Sequence, residues 1–246
     1  MTAKPVGTLP SMVNERERIL EHLRGVESER AKRAADPSLA ARVFAVKAYQ
    51  HSRFEQTYTD MLSDPGRASA ARFFLDELYG PRDYRARDAQ FERVVPALVR
   101  LFPNEIVRTV EMLAELHALS EQLDSRMGAA LSSPTLDDEA YARIWRTVGA
   151  PDLRERQIRL MINIGTALDR HTRSVVLRNT LRLMRRPATA AGLGELQAFL
   201  EAGFDSFRHL RGAPDFLATV AGRERSLATA HFARGDCSAP PLASRR

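Results

Sequence analysis

Residues 72–103 read RFFLDELYGPRDYRARDAQFERVVPALVRLFP and contain the most specific local pattern in the chain. Apolar residues recur every three or four positions on both sides of a central break, which is typical of two amphipathic helices. The break is Gly80-Pro81, where glycine can take the left-handed conformation that ends a helix and proline cannot continue it. The sequence therefore predicts a corner between two helices.

Aromatic and charged side chains crowd this corner. Asp83 and Arg87 stand four positions apart, within reach of an ion pair on one helix. Asp88 can cap the second helix or pair with Arg85. One interpretation is a rigid structural corner, and the other is a binding surface, because aromatic and arginine side chains are enriched at binding hot spots. The candidate residues for binding a partner or ligand are Tyr79, Arg82, Asp83, Tyr84, Arg87 and Asp88.

The segment FFLDELYGPRDYRARD, together with the later GAPDFLATVAGRERSL, resembles a group of uncharacterised bacterial all-helical proteins that share an FFLxxLYGPxD-type corner. The resemblance covers most of the chain between its tails. It implies a compact helical fold, and it carries over no catalytic or binding residue.

The period of 3.6 residues continues through most of the chain, and strict alternation of apolar and polar residues is absent. We therefore predict an all-α protein, a compact bundle of about nine helices. Its single domain is expected to span residues 13–235. The segments 1–12 and 236–246 lack periodicity and are expected to be disordered.

Individual helix bounds follow from capping signals. Asn14 is placed to cap the first helix, with Glu17 three residues later. The second helix is expected to end near Ser63. The longest is expected to run from Pro151 to about Arg185.

Composition limits the classes of protein to consider. No apolar run approaches the roughly 18–20 residues that span a bilayer, so we expect no membrane association. The sole cysteine, Cys237, cannot form an internal disulfide, and the cytoplasm is the expected compartment. The net charge of +6 favours phosphate backbones in principle. Acidic residues are nevertheless interspersed with the basic ones, so we do not expect nucleic-acid binding.

Two histidine–carboxylate pairs have a spacing that can share a metal ion. His51/Glu55 and His117/Glu121 both read H-x-x-x-E, which puts the two side chains one helical turn apart. Two inward-facing pairs would form half of a dinuclear iron or manganese site in a bundle. The E-x-x-H spacing of such proteins is missing, however. No haem attachment motif occurs either, although one of His51, His117 or His171 could hold haem in a helical pocket. We expect no metal and no cofactor.

A basic pattern occupies the second half of the long predicted helix. His171, Arg178, Arg182 and Arg185 recur at offsets of seven, four and three. One interpretation is a solvated arginine face, where cations also suit the end of the helix dipole. The other is a docking stripe for an acidic partner, an anionic ligand or nucleic acid.

No sequence-local catalytic motif occurs, whether a glycine-rich phosphate loop, a nucleophile elbow or a zinc-protease helix. The leading hypothesis is therefore a non-catalytic cytosolic protein that binds a protein partner or a small ligand. Apolar helix faces also make a homodimer an expected form. The alternative is a metal- or haem-dependent oxidoreductase with its site inside the bundle. A third hypothesis is nucleic-acid binding through the arginine-rich helix face.

Overall fold

The computed structural model describes residues 9–78, 80 and 84–233. Within these ranges it contains eleven α-helices and no strand, and a π-helical segment, Phe74–Leu78, continues α4. None of these helices is both long and apolar enough to cross a bilayer. The α-helices are α1 (Leu9–Ala35), α2 (Pro37–Thr57), α3 (Thr59–Ser63), α4 (Ala68–Phe73), α5 (Arg85–Leu101), α6 (Asn104–Ala130), α7 (Asp138–Val148), α8 (Pro151–Thr172), α9 (Val175–Ala190), α10 (Gly194–Arg208) and α11 (Ala213–Ala233).

The all-α class is confirmed, but the described residues form two more helices than the nine predicted. The predicted second helix divides at Tyr58, whose buried hydroxyl donates a hydrogen bond to the carboxylate of Glu224 on α11 at 2.8 Å. The predicted long helix divides at Ser174, whose hydroxyl accepts from the amide of Leu177 at 3.2 Å. Serine in that role is an N-cap, so a new helix begins there.

The first helix also begins earlier than predicted. α1 starts at Leu9, so Asn14 lies inside the helix and does not cap it. Residues 1–8 and 234–246, including Cys237, lie outside the described residues. The disorder predicted for the two ends, and the domain bounds drawn from it, therefore stay predictions.

α6 occupies the centre of the bundle, where it packs against α1, α2, α7 and α8. Its apolar side chains Leu116, Leu123 and Met127 are buried in the hydrophobic core. A second face of α6 carries His117, Ser120, Glu121 and Asp124, spaced at one helical turn or less. We call these four residues the α6 polar row. Because α6 is central, this row lies inside the protein.

Candidate functional site

A cavity of about 120 Å³ lies beside the α6 polar row. Residues from α1, α2, α5, α6, α8, α10 and the π-helical segment line it. The apolar part of its lining, which we call the apolar wall, includes Leu23, Phe91, Val94, Leu98, Val110 and Ala114. The polar part, which we call the polar wall, includes the α6 polar row, Lys47, Gln50, Asp88 and Gln157. π-helical turns occur frequently at functional sites, and Glu77 of the π-helical segment belongs to the lining.

Three of the six corner candidates line this cavity: Tyr84, Arg87 and Asp88. The guanidinium of Arg87 lies between two aromatic rings, 4.0 Å from the centre of Tyr84 and 4.5 Å from that of Phe199. It also donates to Glu77 at 3.2 Å. Arg87 is therefore fixed in the wall. The other three candidates, Tyr79, Arg82 and Asp83, lie outside the described residues.

Asp88 was a candidate cap for α5. In the structure it instead pairs with residues from two other helices. Its Oδ2 lies 2.7 Å from Nε2 of His117 and accepts from Arg30 at 2.6 Å. Burial raises the pKa of Asp88, but His117, Arg87 and Arg30 more than offset this effect and hold the pKa at about 2. Asp88 is thus ionised at neutral pH, and its carboxylate accepts a hydrogen bond from Nε2–H of His117.

The polar row continues one turn further with Glu121, which is 3% exposed. Its carboxylate accepts from Lys47 at 2.6 Å and from Arg33. Burial raises the pKa of Glu121, but Lys47 and Arg33 outweigh burial and hold it at about 2. This group therefore carries a charge deep in the bundle, balanced by cations from α1 and α2.

Asp124, at the end of the row, is less well balanced. Its Oδ1 accepts from Gln50 at 3.0 Å, and its Oδ2 lies 3.6 Å from Lys47. Burial raises the pKa of Asp124, Lys47 offsets this in part, and the negative charge of Glu121 raises it further, so the net shift is upward. The two carboxyls of one helix face thus have opposite electrostatic situations.

The two histidine–glutamate pairs do not meet. Nε2 of His51 lies 3.9 Å from Oδ1 of Asp76, and Glu55 is exposed. His117 and Glu121 are instead engaged with Asp88 and with the cations described above. Among the residues that the structure describes, no group of three or more His, Cys, Asp or Glu side chains could hold a metal ion.

The predicted basic stripe is split between two helices. His171 belongs to the last turn of α8, where its Nε2 lies 3.2 Å from the hydroxyl of Thr109, and burial is the main reason that its pKa is lowered. Arg178, Arg182 and Arg185 belong to α9, beyond the break at Ser174. Arg185 pairs with Glu201 of α10 at 2.9 Å. The four residues therefore lie on two helices instead of the single helix that was predicted.

Sequence reasoning missed most of the polar wall. Arg30, Arg33, Lys47, Gln50 and Asp124 come from three helices and are far apart in the chain. One signal was present: Glu121 and Asp124 follow His117 at four and seven positions, between the apolar residues of α6. Such a row on a helix that also carries a complete apolar stripe indicates charges with partners inside the protein.

Comparison with protein-family models identifies the family of this chain. It belongs to the family described as Domain of unknown function (DUF8198), whose model matches residues 29–237. The matched range includes the corner at residues 72–103 and the α6 polar row. Comparisons with curated proteins and with solved structures gave no match. Membership of an uncharacterised family is confirmed, while a bacterial origin and the corner as the family's signature stay predictions.

Proposed function

We propose that this protein binds a small molecule in the cavity beside the α6 polar row. The observation that carries the proposal is the meeting of an apolar wall and a polar wall around one internal space. Ligand pockets typically combine many apolar side chains with a few polar groups that fix orientation. The proposal develops the small-ligand half of the leading hypothesis. A protein partner, a homodimer and a cytoplasmic location stay predictions.

The polar wall is rigid before any ligand arrives. Buried ion pairs hold Asp88 to Arg30 and Glu121 to Lys47, and the rings of Tyr84 and Phe199 enclose Arg87. Side chains that are already fixed lose little conformational entropy on binding, so more of the contact energy appears as affinity. This arrangement supports binding, because a purely structural core gains little from charged groups around an unfilled space.

The cavity volume limits the ligand. An engineered apolar cavity of about 150 Å³ binds benzene, so a space of about 120 Å³ suits a single ring or a short branched chain. Leu200 lines the same cavity and is 41% exposed, so the wall reaches the protein surface on α10. We infer that part of the ligand can extend towards solvent there.

The test is a pair of alanine-to-methionine variants with benzyl alcohol as the probe. Ala114 is buried in the cavity wall, so the flexible side chain of Ala114→Met should occupy the space and abolish binding. Ala97→Met makes the same change at an exposed position of α5 and should bind like the wild type. Binding is measured by ligand-observed NMR and by the rise in melting temperature.

At ten times Kd, a ligand that binds only the folded state stabilises it by about 1.4 kcal/mol. For a chain of this size the melting temperature then rises by about 3–5 °C. Equal binding by the wild type and Ala114→Met would show that the probe lies elsewhere. Failure of a ring-sized fragment set to bind the wild type would contradict the proposed function.

A further inference from the structure

Two oxygen atoms on the polar wall, Oδ2 of Asp124 and Oε1 of Gln157, accept no hydrogen bond from any residue that the structure describes. The second polar atom of each side chain is engaged: Oδ1 of Asp124 accepts from Gln50 at 3.0 Å, and Nε2 of Gln157 donates to Ser120 at 2.8 Å. Both free oxygens can accept a hydrogen bond from a ligand in the cavity that these residues line.

Asp124 is the stronger of these acceptors. The residue is 6% exposed and lines the cavity. The nearest cation, Lys47, lies 3.6 Å from Oδ2 and is already bound to Glu121 at 2.6 Å. Burial and the Glu121 charge hold the pKa of Asp124 above its usual range, which shows how little compensation its charge receives.

The cations in the wall, and those bound to its carboxylates, in contrast have partners. Lys47 and Arg33 bind Glu121, and Arg30 binds Asp88. Arg87 binds Glu77 and lies against two aromatic rings. An anionic ligand would have to displace one of these carboxylates and leave it buried without a cation, which is strongly unfavourable. A ligand that donates protons needs no such displacement.

We infer that the cavity takes a small molecule with a ring-sized apolar body and a cationic nitrogen head, a primary amine or an amidine, bound by Asp124. This inference rests on the proposed function and specifies its ligand class. The head donates to Oδ2 of Asp124, and a further donor can reach Gln157.

The experiment compares three probes that share a phenyl ring: benzylamine, benzyl alcohol and benzoate. Titrations by NMR or calorimetry at neutral pH should show benzylamine binding about tenfold more tightly than benzyl alcohol, the usual gain from a hydrogen bond to a charged group. Benzoate should not bind measurably. Benzamidine, with its planar head of several donors, should rank with benzylamine.

Asp124→Asn tests the residue. Its shape is nearly unchanged, so benzyl alcohol should still bind, while the tenfold preference for benzylamine should disappear. Glu115→Gln is the matched control, because Glu115 is on the same helix and pairs with Arg156 at 2.7 Å, outside the cavity lining. This variant should keep the preference.

The outcomes separate the two proposals. Equal affinity for all three probes, or tighter binding of benzoate, would overturn the cationic ligand class, yet the proposed function would stand if Ala114→Met abolishes that binding. Retention of the benzylamine preference by Asp124→Asn would overturn the role of Asp124. Absence of binding by all the probes would overturn the inference, and failure of the wider fragment set would then overturn the proposed function as well.

Discussion

The α6 polar row and the arginines of α9 are both charged helix faces in the sequence, yet the fold gives them different surroundings. Glu121 is 3% exposed and lies between cations from two other helices. Arg182 and Arg185 are exposed, and Arg185 has one partner, Glu201, on a neighbouring helix. Spacing alone does not distinguish these cases. Burial decides how much a charge matters to stability, because a buried charge has no water to replace a lost partner.

The largest difference between the two regions should come from removing one charge in each. Glu121→Ala leaves Arg33 and Lys47 without their shared carboxylate, so we expect a loss of about 3–5 kcal/mol in the free energy of unfolding. Arg185→Ala on α9 should leave the unfolding midpoint unchanged. Urea denaturation at neutral pH measures both. Similar small effects in the two variants would show that the polar row is solvated.

A smaller difference is expected between two glycines. A Cβ at Gly80, in the corner beside the cavity, would overlap the carbonyl oxygen of Asp76 and lie 2.8 Å from the hydroxyl of Tyr84. That hydroxyl donates to the Asp76 carbonyl at 2.6 Å, so neither group can move freely. We expect Gly80→Val to cost about 1–3 kcal/mol.

Gly194 is the control for this prediction. It begins α10, next to α9, and nothing lies within 4 Å of a Cβ built there. Gly194→Ala should change stability by no more than about 0.5 kcal/mol. An unchanged melting temperature for Gly80→Val would refute the close approach at the corner.

The pH dependence of stability should separate the carboxyl groups that line the cavity. The pKa values of Asp88 and Glu121 are lowered to about 2 in the folded protein, whereas they lie near 4 in the unfolded chain. The two carboxylates therefore stabilise the fold fully at neutral pH, and this stabilisation is lost as the pH falls from about 5 to about 2. Asp124 has the opposite sign, because its pKa is raised. The favourable contribution of Asp124 to stability is present below the pKa that this group has in the unfolded chain. It is lost as the pH rises through the higher pKa of the folded state.

Asp124→Asn should therefore be at least as stable as the wild type at pH 7 and lose this advantage in acid. The charged groups that act on Asp124 are Lys47, Glu121 and Arg154, and none of them is altered. Free energies of unfolding between pH 4 and pH 8 give the comparison. An equal destabilisation across this range would contradict the raised pKa.

The smallest effect is expected at Arg182, which is exposed on α9 and has no acidic residue in its own helix. Arg182→Ala should change the free energy of unfolding by less than about 0.5 kcal/mol. We also expect no specific, salt-dependent affinity for duplex DNA in the wild type. The nucleic-acid hypothesis would be restored if the wild type bound duplex DNA and the triple alanine variant of Arg178, Arg182 and Arg185 did not.

Several features were predictable because they are local. The 3.6 period predicted an all-α protein. Asp36 before Pro37 is likewise a local signal, and its carboxylate caps α2 by accepting from the amides of Ser38 and Leu39. The break at Ser174 was visible in principle, since serine is a preferred N-cap, but periodicity on both sides concealed it. Of the corner candidates, Tyr84, Arg87 and Asp88 line the cavity. The sequence did not show which side chains pair with these three residues.

The sequence by itself determined which faces of each helix are apolar, because periodicity depends only on residues within one or two turns. Only the tertiary structure decided that Asp88 pairs with His117, that Lys47 reaches Glu121, and that apolar side chains line the same cavity. These contacts join residues 29 and 74 positions apart. No local pattern encodes such pairs, since they arise from the packing of α2, α5 and α6 around one space.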